Sequence, residues 1–176
     1  LSVGMKLADL PLAVTLLLTS RGVPCLFYGT EQALFDSSEG GNDPYNRPMM
    51  ERFDLDAPVA RILPILAALR RRSLAVQRGF TRDLYVGQDV FAYARAYHRS
   101  AVTVILNRGK AARVALEGVP LPDGLYRDLL GVLPEPVKVA GEVLVLGVPA
   151  HAAIVLEHHE ALPEAKARVI VRLNGY

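Results

Sequence analysis

The sequence has 176 residues, of which 51% are hydrophobic and 22% are charged, with a formal net charge of +2. This profile is typical of a packed globular chain and excludes an intrinsically disordered one. The small net charge and the scattered basic residues give no reason to expect a nucleic-acid partner.

The chain opens with an apolar stretch that has helical spacing. Its apolar residues recur every three or four positions, which predicts a helix over about 5 to 20 with one buried face. They are Leu7, Leu10, Val14, Leu17 and Leu18. The stretch is too short to span a bilayer and lacks the basic start and cleavage site of a signal peptide, so no membrane partner is expected. The pattern is already under way at Leu1, which favours a fragment whose natural N-terminus is missing.

A strand-length apolar run, Val23 to Tyr28, follows a turn at Arg21-Gly22. It is closed by Gly29, and three polar residues follow at once. This order predicts a buried parallel strand whose carboxyl end opens into an active-site loop, as in a (β/α) barrel. Cys25 lies within the run and is expected to be a small buried hydrophobe.

Residues 29 to 53 are rich in Gly, Asp, Asn, Pro and Ser, which predicts a long functional loop. Asp43 and Arg47 in this loop could form a simple salt bridge, or they could orient a ligand through charge-assisted hydrogen bonds. Glu31 could be a cleft carboxylate, although no partner carboxylate for acid-base catalysis is identifiable, or it could anchor the loop. These alternatives stay open on the residues alone.

A second helix is predicted from about 56 to 73. Asp56 is an N-cap candidate, and Pro58 falls in the first turn. The apolar face consists of Val59, Ile62, Leu63, Leu66 and Leu69. An interior proline costs about 3 kcal/mol, so Pro64 predicts either a kink or a later start.

From residue 78 the apolar pattern changes to period 2, which predicts a small antiparallel sandwich over 78–158. The expected strands are 90–95, 101–107, 113–116, 142–146 and 152–157, with turns at 86–89, 107–109 and 122–124. The spacing of the histidines fits no zinc pattern, so no metal site is predicted. These are His98, His151, His158 and His159. Beyond them a polar linker leads to a further alternating strand at 167–174.

Several of these segments closely resemble the α-amylase family, glycoside hydrolase family 13. Thr19–Gln32 (TSRGVPCLFYGTEQ) and Gly40–Arg47 (GGNDPYNR) are similar to the last barrel strand and its loop, most of all in cyclodextrin glucanotransferases and the related maltogenic α-amylases. Three further segments resemble strands and a turn of the family's β-sandwich, domain C. They are Asp89–Arg95 (DVFAYAR), Val102–Arg108 (VTVILNR) and Leu121–Gly131 (LPDGLYRDLLG).

The resemblance implies a fold and a domain order. The expected fold is the α/β end of a (β/α)₈ TIM barrel followed by the all-β antiparallel sandwich. Residues 1–77 would be the last part of the catalytic barrel, 78–158 domain C, and 159–176 a linker with the first strand of a starch-binding module. Ala167–Asn174 (ARVIVRLN) is similar to such a strand.

The resemblance also implies retaining chemistry on α-1,4-glucosidic bonds, which requires positioned carboxylates. The family's Asn-His-Asp segment has no match here, so the chain is expected to carry no catalytic residue. Asp43 and Arg47 fall on positions that bind a donor-side glucose unit, and Tyr45 and Tyr28 could stack on a sugar or could belong to the core. The implied partners are starch, maltooligosaccharides or cyclodextrins.

No cofactor is expected in this chain, and the calcium common in the family would be held mostly by residues outside it. The resemblance further implies an extracellular protein. A different reading of the sequence is a non-catalytic β-sandwich module that binds or links carbohydrate-active domains. The buried strand predicted at 23–28 favours the enzyme, because a free-standing module has no use for a parallel strand flanked by helices.

Overall fold

The structure, a computed structural model, describes residues 6–34, 48–51 and 53–159. Within these ranges three α-helices precede eight strands. The helices are α1 (Leu10–Thr19), α2 (Pro58–Arg72) and α3 (Leu74–Arg78), and 3-10 turns lie at Leu7–Asp9 and Thr30–Gln32. The strands are β1 (Phe80–Val86), β2 (Val90–Tyr97), β3 (Ser100–Asn107), β4 (Ala112–Glu117), β5 (Gly124–Tyr126), β6 (Val137–Ala140), β7 (Val143–Val148) and β8 (Ala152–His158).

Helix α1 confirms the predicted N-terminal helix but starts later than expected. A 3-10 turn precedes it, and Leu7 is 63% exposed rather than part of the buried face. Leu10, Val14 and Leu18 are buried, as the spacing predicts. The helix ends at Thr19 because Ser20 adopts an extended backbone, and Gly22 then takes a φ of 109° that favours glycine.

The prediction of a buried strand from Val23 to Tyr28 is wrong for the described structure. The segment belongs to no sheet, and Val23 is 94% exposed. Cys25, expected to be buried, is an exposed free cysteine. An apolar run forms a parallel strand only when neighbouring strands accept its backbone hydrogen bonds, and none of the described residues pairs with this one.

Helix α2 confirms the second predicted helix and runs through Pro64, which lies in its interior. Its N-cap is Ala57 rather than Asp56, so that expectation is wrong. The Asp56 carboxylate instead pairs with Arg61 at 3.1 Å. The side chains of Val59, Leu66 and Leu69 are buried, and Pro64 is exposed on the opposite side.

The strands form two four-stranded antiparallel sheets, ordered β1-β2-β3-β8 and β4-β7-β6-β5. The expected strands at 90–95, 101–107, 113–116, 142–146 and 152–157 correspond to β2, β3, β4, β7 and β8. Three strands were not predicted: β1, β5 and β6. Strand β1 pairs with β2 and carries a bulge between Asp83 and Tyr85.

The first sheet is the middle of three layers. One face carries Tyr93, Val104 and Val155, which share an apolar cluster with α1, α2 and α3. The other face carries Ala92, Ile105 and Ile154, which share a second cluster with β4, β6 and β7. Every residue of β3 is therefore buried. The predicted boundary at 77–78 falls within α3, and the domain limits stay predictions.

Polar side chains also tie the helices to the sheets. Arg72 at the end of α2 pairs with Glu157 of β8, with Nη2–Oε2 at 2.5 Å and Nε–Oε2 at 3.0 Å. His151, in the turn before β8, lies with its Nδ1 2.8 Å from Oδ1 of Asp9. The α1 and α2 ends are thus fixed to the edge strand β8 by side chains as well as by apolar packing.

A loop carrying Asp128 covers the outer edge of β8. Its carboxylate accepts hydrogen bonds from the backbone N–H groups of Leu130, Val132 and Val155 at 3.1, 2.7 and 2.9 Å. The Leu129 N–H donates to the Val155 carbonyl at 2.9 Å. The edge strand therefore has partners on both sides near Val155, which protects it from pairing with another chain.

Candidate functional site

The chain turns sharply where the predicted cleft loop begins. Gly29 has a φ of 81°, and a side chain there would lie 2.8 Å from Leu34, so the position requires glycine. The 3-10 turn Thr30–Gln32 follows, and the Leu34 N–H donates to the Gly29 carbonyl at 2.9 Å. The polar residues after Tyr28 therefore form a tight turn.

Two side chains close the base of the loop. The Tyr28 hydroxyl donates to the Pro48 carbonyl at 3.2 Å. The Gln32 amide makes a two-way contact with Asp54, donating to its carbonyl at 3.2 Å and accepting from its N–H at 2.6 Å. We call these residues, Tyr28, Gln32, Pro48 and Asp54, the loop stem. The stem brings together the ends of a segment of more than a dozen residues.

The predicted sugar-binding residues Asp43 and Arg47, together with Tyr45, lie outside the described residues. The loop stem lies on either side of their segment in the sequence. Their assignment stays a prediction.

Glu31 lies in the 3-10 turn and is half-buried. Its carboxylate has no hydrogen bond or ion pair among the described residues. The bonds that anchor the loop come from its neighbour Gln32, which the sequence analysis missed. A side-chain amide that binds backbone 22 residues away leaves no local pattern by which it could have been found.

An apolar surface surrounds the loop stem. Phe27 and Tyr28 are 58% and 45% exposed, and their ring centroids lie 4.6 Å apart. Met49, Phe53 and Leu55 are also mostly exposed. Exposed apolar side chains in this number mark a surface that contacts something else, either protein or ligand.

Arg70 of α2 holds the backbone that leads to the loop stem. Its Nη1 donates to the carbonyls of Leu18 and Ser20 at 2.9 and 3.1 Å, and its Nη2 donates to the Gly22 carbonyl. The last carbonyls of a helix lack partners within the helix and carry partial negative charge. The guanidinium supplies both the donors and the opposite charge.

Arg95 of β2 holds the same helix end from the other side. It is fully buried, and its guanidinium donates to the carbonyls of Thr19 at 3.2 Å and Gly79 at 2.6 Å. Burial lowers the pKa of the Arg95 guanidinium, and the positive charge of Arg70 lowers it further, whereas Tyr93 raises it. The Tyr93 hydroxyl lies 2.5 Å from Thr19 Oγ1, and burial raises the pKa of this tyrosine.

The described residues contain no group of three or more histidine, cysteine, aspartate or glutamate side chains that could hold a metal ion. In the same part of the chain, no helix combines the length and the apolar character needed to cross a bilayer.

Comparison with known proteins gives a consistent result, although no family model matches the chain. A cyclomaltodextrin glucanotransferase from Klebsiella oxytoca is 35% identical over 158 residues, which is 87% of this chain and 24% of that protein. The solved structure of CldA, a cyclomaltodextrin glucanotransferase with a three-domain ABC distribution, superposes with a TM-score of 0.82 at 36% identity. The chain belongs to the α-amylase family.

The likeness extends to other members of the α-amylase family. An α-amylase from Geobacillus thermoleovorans, solved in complex with acarbose, superposes with a TM-score of 0.72 at 26% identity over 88% of this chain. The resemblance inferred from the sequence motifs is thereby confirmed. The chain spans only part of these relatives, since it covers 34% of CldA and 34% of the Geobacillus enzyme.

Proposed function

We propose that this chain is the C-terminal portion of a retaining enzyme that cleaves or transfers the α-1,4-glucan chains of starch. The observation that carries the proposal is that sequence and structural likeness agree on cyclomaltodextrin glucanotransferases over nearly the whole chain. Starch, maltooligosaccharides or cyclodextrins are the proposed substrates of the longer protein, and an extracellular location follows the same resemblance.

Within that enzyme, residues 1–77 would complete the catalytic (β/α)₈ barrel. The order α1, apolar segment 23–28, loop and α2 matches the order of a barrel's last helix, strand, active-site loop and closing helix. The exposure of Val23 and Phe27 supports this proposal, because neighbouring barrel strands would cover these side chains. The segment would then become the strand that its composition predicts.

The proposed contribution of this chain to the site is sugar binding. Asp43 can accept hydrogen bonds from vicinal hydroxyls, and Arg47 can donate to sugar oxygens in a fixed fork. Tyr45 could add a stacking face, and Glu31, which has no partner among the described residues, could face the cleft. The catalytic carboxylates would come from earlier barrel strands, as would most ligands of any calcium ion.

The test is to replace Asp43 and Arg47 by alanine in the longer natural protein that carries this sequence. Loss of a charge-assisted hydrogen bond should cost about 1 to 3 kcal/mol in kcat/KM for a maltooligosaccharide long enough to reach the donor-side position. A shorter substrate should lose little. Product length should change as well.

Asp83→Ala and Arg113→Ala serve as matched controls, since both side chains are exposed on the two sheets formed by β1 to β8, which we call the β-domain. Equal losses of kcat/KM on long and short substrates would favour the alternative that Asp43 and Arg47 form only a salt bridge within the loop. The 176-residue chain alone should release no reducing ends from soluble starch, because retaining chemistry needs two positioned carboxylates. Turnover that copurifies with this chain would contradict the assignment of the catalytic residues to other strands.

A further inference from the structure

Arg95 is an unusual residue for its position. It lies on the helix-facing side of the middle sheet, where its neighbours are apolar, and it is fully buried without a carboxylate partner among the described residues. Burying an unpaired cation is costly compared with packing a leucine or methionine of similar volume. The arginine must therefore be explained by what its guanidinium contacts.

Those contacts join the ends of two helices, because the guanidinium donates to the carbonyls of Thr19 at the end of α1 and of Gly79 after α3. Arg95 donates to the Thr19 carbonyl at the last residue of α1, and Tyr93, two residues away on β2, bonds the Thr19 hydroxyl. The Thr19 hydroxyl in turn lies 2.5 Å from the Thr15 carbonyl. The β-domain thus forms hydrogen bonds with both the backbone and the side chain of Thr19.

Thr19 is the last residue of α1, and the chain beyond it leads to the loop stem. Nine positions separate Thr19 from Tyr28, and the chain between them includes Gly22 and has no regular secondary structure. A segment without backbone pairing takes its orientation from its fixed ends. One end is the loop stem, the other is Thr19, and Arg70 of α2 also donates to the carbonyls of Ser20 and Gly22 within the segment.

We propose that Arg95 is a positioning residue through which the β-domain sets the path of residues 20–28 and, with it, the orientation of the loop stem. It does not touch the substrate. The consequence for catalysis rests on the proposed function, whereas the consequence for the segment does not.

Cys25 allows the segment to be tested directly in the 176-residue chain. It is the only cysteine in the sequence, it is exposed, and it lies between Thr19 and Tyr28. A nitroxide attached to Cys25 reports the local motion of the segment by electron paramagnetic resonance. Arg95→Met should shorten the rotational correlation time of the label about twofold, because the Thr19 and Gly79 carbonyls lose their donor. Arg95→Lys, which keeps a donor, should restore part of the ordering.

Two controls separate positioning from general destabilisation. Arg113→Met changes an exposed arginine on β4 and should leave the spectrum unchanged. Leu144→Ala removes a fully buried side chain from the cluster between the sheets, so it should lower the melting temperature without mobilising the label. Should Arg95→Met fail to fold, Tyr93→Phe, which removes the hydroxyl that bonds Thr19 and Ser20, should mobilise the label more than Leu144→Ala does.

An unchanged spectrum in the folded Arg95 and Tyr93 variants, or equal mobilisation by Leu144→Ala, would overturn the proposal. In the longer enzyme, Arg95→Met should lower kcat/KM for a long maltooligosaccharide about tenfold and for a short one far less. Equal loss on both would also count against positioning. A mobilised label together with a wild-type enzyme inactive on glucans would refute the proposed function and leave the role of Arg95 intact.

Discussion

The loop that covers the edge of β8 depends on a single carboxylate, so Asp128→Ala is a sharp test of how this domain is held together. Asp128 is 9% exposed and accepts backbone hydrogen bonds from Leu130, Val132 and Val155. The substitution removes all of these acceptors at once. It leaves the strands and both apolar clusters chemically unchanged.

The expected cost follows from which donors water can reach afterwards. Val155 is fully buried, so leaving its N–H without an acceptor should cost about 1 to 3 kcal/mol. Leu130 and Val132 are partly or fully exposed, so water can replace the carboxylate there at about 0.5 to 1 kcal/mol each. Asp128→Ala should therefore destabilise the chain by about 3 kcal/mol. At this chain length that corresponds to a fall in Tm of roughly 10 °C.

The assay is urea denaturation of the 176-residue chain, with amide hydrogen exchange at Val155 as a local readout. Asp123→Ala is the matched control, because the exposed Asp123 carboxylate accepts a single bond from the Gly141 N–H at 2.8 Å. That change should cost less than about 1 kcal/mol. Asp128→Asn should fall between the two, since its amide nitrogen cannot accept from Val132. If Asp128→Ala cost no more than Asp123→Ala, or if Val155 kept its protection, the edge-capping role would be refuted.

Three further predictions concern the helices and the buried tyrosine. Arg72→Ala should lower the free energy of unfolding in urea by about 2 kcal/mol, because the Glu157 carboxylate, whose side chain is 8% exposed, then lacks its cation. An equal loss of stability when Arg72→Ala is made in a Glu157→Gln background would contradict this reason. Pro64→Ala should raise the free energy of unfolding by about 1 to 2 kcal/mol by restoring a helix hydrogen bond, and a lower Tm would show that the proline fits better than its position suggests. Burial raises the pKa of Tyr93 above its usual value of 10.0, so the unfolded state loses this proton first and the free energy of unfolding should fall as the pH rises above about 10. Tyr93→Phe should reduce that fall. Identical pH profiles of the free energy of unfolding for the wild type and Tyr93→Phe would disprove the contribution.

Periodicity predicted the elements that bury one clear face. The 3.6-residue spacing located α1 and α2, and the alternation located β2, β3, β4, β7 and β8. Periodicity did not predict the strands in which no buried face repeats along the chain. Strand β1 is mostly exposed, and β5 and β6 are three and four residues long, too short for a pattern to emerge. These strands form because neighbours in the sheet pair with them, which a local pattern does not record.

Contacts between distant residues set the same limit on predicting the site. The run at 23–28 is apolar enough for a strand, but a strand also needs partners, and the described residues provide none. Gln32 and Arg95 act through backbone groups that lie 22 and 76 residues away in the sequence. The motif resemblance pointed to the right family, yet it could not distinguish Glu31 from Gln32 as the residue that anchors the loop.

The double-sided burial of the middle sheet restricts how this part of the protein can be recombined among relatives. A β-domain transplanted from residue 78 onward would arrive with Tyr93, Val104 and Val155 uncovered and with the Arg95 guanidinium facing no helix end. The new host would have to supply a matching pair of helices, including a threonine at the contact with Tyr93. The segment that can be exchanged between relatives is therefore the sandwich together with α1, α2 and α3. Chimaeras joined upstream of α1 should fold, whereas chimaeras joined at residue 78 should not.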